Sequence, residues 1–169
     1  HACGSAVEAE AFIWERGGEH PIAKIYRCSR CSDSGERPAS RGDIERAAAI
    51  TLQAKLHQAR ALERVASLND PDRQHAEEAL EVYLPRAVLA LFTLINKIDS
   101  LGLSPQRKNW LRLLLLSACD KANSLWQHPP AKSRPKQLQL GQAAPFREHN
   151  VWLALEEAVA ECSSSAAPL

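Results

Sequence analysis

Three cysteines near the start of the chain constrain its fold more than any other feature. Cys3 stands alone before Gly4, whereas Cys28 and Cys31 form a Cys-x-x-Cys pair. That spacing is typical of a tight metal-binding turn, and four soft thiolates at a tetrahedral centre satisfy Zn²⁺. Gly4 suits the turn after the second thiolate of such a pair, because glycine tolerates a positive φ. The pattern predicts a structural zinc site with Cys3, Cys28 and Cys31 as ligands.

The sequence offers more than one candidate for the fourth ligand of this site. The cysteine that would share a metal-binding turn with Cys3 would fall before His1. The 24 residues between Cys3 and Cys28 exceed the roughly 15–20 found in two-pair zinc patterns. Since imidazole replaces thiolate in many tetrahedral sites, His1 and His20 are candidates. A redox role for Cys28 and Cys31 is the weaker interpretation, because no helix is predicted to begin there. Ordinary surface thiols are the remaining alternative.

The residues between the cysteines have the pattern of a β-hairpin. Apolar residues partly alternate over residues 5–16, Gly17-Gly18 marks a turn, and strand-forming residues return over 21–27. A hairpin brings Cys3 next to Cys28 and Cys31. We therefore predict a zinc-ribbon-like β-hairpin over residues 1–34, followed by a linker over 35–42 that contains glycine and proline.

The rest of the chain is predicted to be helical. A single helix over residues 43–66 is expected to bury a stripe formed by Ile44, Ala48, Leu52, Leu56, Ala59 and Leu62. Pro85 and Pro105 suit the first turns of later helices, the second of which is expected to end near Gln127. Asn150 is expected to cap the last helix. The predicted fold is mainly α, with an all-helical domain over 43–162 and a flexible tail over 163–169.

Composition and charge limit the partners and the cellular location that we expect for the chain. An apolar content of 45% is enough for a core, while the net charge of +1 implies no global attraction to nucleic acid. The leucine run at 113–116 is far shorter than the roughly 20 apolar residues of a membrane span. Five cysteines without a secretory segment indicate a reducing, cytoplasmic location. Because the chain contains no methionine, we expect it to be a piece of a longer protein.

Two basic clusters are candidate contacts to nucleic acid. Four cations lie in or beside a proline-containing loop: Lys132, Arg134, Lys136 and Arg147. The loop could follow a phosphate backbone, and a solvated loop is the equal alternative. The second cluster, Arg107, Lys108 and Arg112, begins a predicted helix, where the macrodipole disfavours cations. A phosphate or a carboxylate would relieve that cost, but screening by water is the favoured interpretation.

Motifs for catalysis are missing from the sequence: there is no glycine-rich cofactor loop, no Gly-x-Ser-x-Gly elbow and no His-Glu-x-x-His pair. The remaining motifs occur in a recognisable order. They are the single Cys3-Gly4, a hairpin containing Trp14, Tyr26-Arg27-Cys28-x-x-Cys31, Tyr83-Leu84-Pro85-Arg86, and Phe146-Arg147-Glu148-x-Asn150-Val151-Trp152.

In this order the chain resembles the zinc-ribbon and helical region of large bacterial DNA methyltransferase-like proteins of the adenine-N6 or cytosine-N4 type. The resemblance implies that the S-adenosylmethionine loop and the catalytic segment lie elsewhere in a parent protein, so no catalytic or cofactor residue carries over. It implies an accessory region that supports the catalytic methyltransferase domain of the same parent chain and contacts double-stranded DNA. The alternative is a structural or protein-interaction module whose zinc only fixes the hairpin.

Overall fold

The computed structural model describes residues 3–5, 7, 9–129 and 144–165, the side chain of residue 165 excepted. Two compact units make up the chain, and each is assembled from two separate segments. A sheet unit comprises His1–Ala49 and Ser124–Asn150, and a helical unit comprises Ile50–Asn123 and Val151–Leu169.

The sheet unit contains a four-stranded antiparallel sheet. Its strands are β1 (Ala9–Trp14), β2 (Pro21–Arg27), β3 (Ser34–Pro38) and β4 (Phe146–His149), in the order β3-β2-β1-β4. Helix α1 (Arg41–Thr51) begins just after β3. The sheet is therefore completed by a strand that lies far from the other three in sequence.

The hairpin of β1 and β2 forms as its sequence predicts. Gly17 has a φ of +78°, a conformation that favours glycine, and the N–H of Gly18 donates to the carbonyl of Glu15 at 3.0 Å. Several apolar side chains of the sheet unit are buried. They include Ala11, Ile13, Trp14, Ala23, Tyr26 and Phe146.

The helical unit contains five helices besides the end of α1 in the described residues: α2 (Ala54–Val65), α3 (Arg73–Leu80), α4 (Pro85–Ser100), α5 (Pro105–Ala122) and α6 (Val151–Ser165). Pro85 and Pro105 occupy the first turns of α4 and α5, and the Ser104 side chain accepts from the N–H of Arg107. The buried core cluster consists of Ala87, Ile98, Leu115, Ala118, Ala122, Val151 and Ala154. No helix in the described part of the chain is long and apolar enough to cross a membrane.

The prediction of a hairpin followed by an all-helical domain is wrong, because the fold is mixed α/β. Strand β3 lies in the predicted linker except for Ser34, and β4 lies inside the range predicted to be helical. Gly35 and Pro38 are residue types typical of a linker, so the sequence pattern did not predict β3. An edge strand tolerates both residues. Strand β4 is only four residues long, and its buried Glu148 hides the apolar alternation.

The predicted helix over residues 43–66 is two helices, α1 and α2, separated at Leu52 and Gln53. Its expected buried stripe is largely exposed: Leu52 is 89% and Leu56 48% exposed, and Ala59 is also exposed. The apolar residues do recur at helical spacing, but this spacing alone does not show which of them pack against other residues. Helix α5 ends at Ala122 rather than near Gln127, because the backbone of Asn123 is extended and forms a β-bridge with Tyr83.

Candidate metal centre

The three N-terminal cysteines lie together in the sheet unit. Their sulfur atoms are all within 4.8 Å of one another, and the Sγ atoms of Cys3 and Cys28 are 3.5 Å apart. Cys28 is 1% exposed, Cys3 is half-buried and Cys31 is exposed. The proximity that the sequence predicted is confirmed, and three cysteines placed in this way could hold a metal ion.

A tight loop between β2 and β3 carries two of these cysteines. The N–H of Cys28 donates to the carbonyl of Asp33 at 2.7 Å, and the N–H of Ser32 donates to the carbonyl of Cys28 at 2.9 Å. Ser32 adopts a left-handed φ of 56°, which turns the chain back toward β3. The backbone of this loop thereby holds Cys28 and Cys31 on the same side of the turn as Cys3.

Asp33 connects the loop to the core of the sheet. Its carboxylate accepts a hydrogen bond from the hydroxyl of Tyr26 at 3.1 Å, and Tyr26 is itself buried in β2. Arg37 of β3 stacks over the same ring, with its guanidinium carbon 4.5 Å from the ring centroid. The loop that bears the cysteines is thus anchored by a packed side chain.

The surroundings of Cys31 disfavour its thiolate form. A backbone hydrogen bond from Asp33 lowers the pKa of Cys31, but desolvation and the neighbouring Cys28 and Cys3 outweigh it, so the net pKa is raised. Adjacent sulfurs resist ionising together because their charges repel. A bound divalent cation would reverse this preference, since a coordinated thiol is deprotonated outright.

Of the two histidines predicted as candidates for the fourth ligand, the structure describes only one. His20 lies in the turn before β2, with its Nδ1 3.4 Å from the carbonyl oxygen of Pro21. Cys28 follows the far end of that strand, and seven residues of strand span about 23 Å. His20 is therefore not brought to the sulfurs. His1 lies outside the described residues.

The basic residues proposed from sequence are not all described. Lys132, Arg134 and Lys136 lie outside the described residues, so their structural placement is not stated. Arg147 is on β4, where its N–H donates to the carbonyl of Trp126 at 2.7 Å. Its side-chain Nε is buried and has no hydrogen-bond partner among the described residues.

Arg107, Lys108 and Arg112 lie in the first turns of α5 in the helical unit, and protein groups accept hydrogen bonds from the last two. Lys108 Nζ donates to the backbone carbonyl of Asp99 at 2.6 Å, and Arg112 donates to the Asp99 carboxylate at 2.6 Å. Arg112 and then Arg64 lower the pKa of Asp99. A carboxylate partner is thus present for Arg112, whereas Arg107 is exposed.

Two buried carboxylates were missed in the sequence. Ser40 and Asp43 form a capping box at the start of α1, in which the Ser40 N–H donates to Asp43 at 2.9 Å. The Ser-x-x-Asp spacing could have revealed it. Glu148 is 2% exposed and accepts from the indole N–H of Trp14 at 2.9 Å. No local signal identifies Glu148, because its partner is 134 residues away.

Comparisons with known proteins add no relative. No protein-family model matches the sequence, and no curated protein or solved structure matches it. The function must therefore be inferred from the chemistry of the residues themselves.

Proposed function

We propose that the chain is a zinc-binding accessory region of a DNA methyltransferase-like protein, with Cys3, Cys28 and Cys31 as metal ligands. The observation that carries the zinc assignment is the convergence of three sulfurs within 4.8 Å. Zn–S bonds of about 2.3 Å in a tetrahedron place sulfurs roughly 3.8 Å apart. The Cys3–Cys28 separation of 3.5 Å is close to that value.

Zinc in this position has a structural task. It would tie the start of the chain to the loop between β2 and β3, so that the free energy of metal binding becomes free energy of folding. Thiolate ligands favour zinc over magnesium or calcium, which prefer oxygen. The fourth ligand is assigned to a residue outside the described part of the chain or to water.

The proposed metal site is tested by metal content and cobalt substitution. We expect the wild-type chain, reconstituted with zinc, to retain one ion, and the cobalt form to show thiolate charge-transfer absorption. Cys28→Ser should lose both signals, because it removes the buried ligand. The matched control is Cys162→Ser, an exposed cysteine on α6. Absence of stoichiometric metal from the wild type, or equal retention by Cys28→Ser, would contradict the site.

The proposed DNA role is supported by the sequence resemblance and by the local excess of positive charge. Fluorescence anisotropy with duplex DNA should show salt-dependent binding that weakens when Lys132, Arg134 and Lys136 are replaced by alanine, because phosphate contacts release counterions. A control chain carrying alanine at Lys55, Arg60 and Lys97, which are exposed, removes the same charge. Equal, salt-insensitive signals for both variants would reject the DNA role.

A second candidate function is docking onto a partner protein. It is favoured by three exposed apolar residues: Leu52, at the break between α1 and α2, and Leu56 and Ala59, which lie three residues apart on α2. A chain with Leu52→Glu and Leu56→Glu should keep its helicity by circular dichroism and lose a partner that co-purifies with the wild type. Unchanged co-purification would reject this surface.

A further inference from the structure

The helical unit contains an apolar cavity that neither the metal site nor the DNA hypothesis uses. It has a volume of about 220 Å³ and lies among α2, α3, α4 and α5. Its apolar wall includes Ala61, Val88, Leu91, Phe92, Ile95 and Leu115. An engineered apolar cavity of about 150 Å³ binds benzene. This cavity therefore has room for a benzene-sized ring with a short alkyl extension.

Three residues of the cavity wall carry polar groups: Arg64, Tyr83 and Cys119. Burial raises the pKa of the Tyr83 hydroxyl, with smaller contributions from Cys119 and Asp120, and burial also raises the pKa of the Cys119 thiol. Both groups are therefore neutral at physiological pH. The charge of Asp120 near Tyr83 makes that side of the cavity unfavourable for an anion.

The side of the cavity at Arg64 favours an anion instead. Arg64 pairs with the carboxylate of Asp99, which also accepts from Arg112, while Lys108 donates to the Asp99 carbonyl. At this point of the described helical unit, two guanidinium groups thus contact one carboxylate, and the Lys108 ammonium contacts the backbone of the same residue. This group of four side chains carries a net charge of about +2, and its member Arg64 lines the apolar cavity. Such a surface is complementary to an acid with an apolar body.

We propose that this cavity binds a compact apolar monocarboxylate, with its ring or alkyl body between the helices and its carboxylate at Arg64. Arg64 lines the cavity and its guanidinium is already paired with Asp99, so little side-chain ordering is needed on binding. The carboxylate of the ligand would meet N–H groups that Asp99 leaves free on the planar guanidinium fork, which has five donors in total. This proposal is independent of the zinc and DNA hypotheses.

The probe for the test is 3-phenylpropionate, compared with its neutral amide and with acetate. Titration calorimetry on the full chain should show saturable binding of the acid, about tenfold weaker binding of the amide because one charged hydrogen bond is lost, and no binding of acetate. Arg64→Gln should reduce the affinity for the acid to that for the amide. Arg60→Gln, an exposed position on the same helix, is the matched control and should change neither.

A second measurement uses the wild-type fold. Cys119 lines the cavity, whereas Cys162 is exposed on α6. Bound 3-phenylpropionate should slow alkylation of Cys119 by iodoacetamide and leave alkylation of Cys162 unchanged. No saturable binding, or binding without protection of Cys119, would overturn the cavity assignment. Equal affinity for acid and amide, unaffected by Arg64→Gln, would overturn the assignment of a carboxylate.

Discussion

Replacing Asp43 with alanine should destabilise the sheet unit by an amount that its contacts define. Asp43 is only 4% exposed and accepts hydrogen bonds from Ser40, Lys24 and Arg46. Its bonds to the Ser40 N–H and hydroxyl have lengths of 2.9 and 2.6 Å. The loss of this half of the capping box costs about 1 kcal/mol.

The two cations add unequal amounts to that cost. Lys24 Nζ lies 2.7 Å from the carboxylate and is 27% exposed, so we assign about 1–2 kcal/mol to this charged hydrogen bond. Arg46 is 76% exposed, and its pair contributes a few tenths of a kcal/mol. The expected loss for Asp43→Ala is therefore about 2–3 kcal/mol in the free energy of unfolding.

Native-state hydrogen exchange of the β1 and β2 amides in urea measures this loss in the sheet unit. The matched control on the same helix is Glu45→Ala, which breaks an exposed pair with Arg41 and should cost less than about 0.5 kcal/mol. A loss for Asp43→Ala no larger than that of Glu45→Ala would refute the assigned role of the buried carboxylate.

The difference between wild type and Asp43→Ala should depend on pH. Burial raises the pKa of Asp43, but the hydrogen bonds from Lys24, Ser40 and Arg46 outweigh it and hold the pKa well below the usual value. A depressed folded-state pKa stabilises the protein above the unfolded-state pKa of about 3.9, and this stabilisation is lost as the pH falls below it. The difference should be constant from pH 7 to about 5 and shrink below about pH 4. A difference that is constant down to pH 2 would contradict the ionic part of the reasoning.

Two further substitutions test the cores of the two units. Glu148→Ala should cost about 1–3 kcal/mol and change the fluorescence of Trp14, because it leaves the buried indole N–H without this acceptor; an unchanged urea midpoint would contradict it. Ala118 is fully buried in the helical core, so Ala118→Leu should lower the stability of that unit by about 1–3 kcal/mol through overpacking. Ser117→Leu at the exposed neighbouring position is its control, and equal thermal midpoints for the two variants would contradict the packing argument.

Local patterns in the sequence predicted the hairpin and the grouping of the cysteines. Gly17 and Gly18 mark the turn, and the fixed separation of Cys28 and Cys31 places both in one loop. These features depend on residues that are near one another along the chain or are joined by one hairpin. Their physical causes are therefore visible without knowledge of the tertiary structure.

Strand β4 and the cavity could not be predicted in the same way. Phe146 pairs with Trp14, and neither residue carries a sign of the other. The cavity requires four helices to assemble, so no single helical pattern encodes it. The exposed Leu52 shows the same limit, since a periodic stripe can face solvent as readily as a core.

The distant origin of β4 has a consequence for synthesis of the protein. Trp14 and Glu148 are 134 residues apart, which corresponds to roughly 7–27 s of translation at about 5–20 residues per second. During that interval β1 leaves the ribosome with one hydrogen-bonding edge unfilled, and such an edge is open to pairing with other chains. The nascent chain would therefore benefit from a chaperone that shields β1 until its last strand arrives.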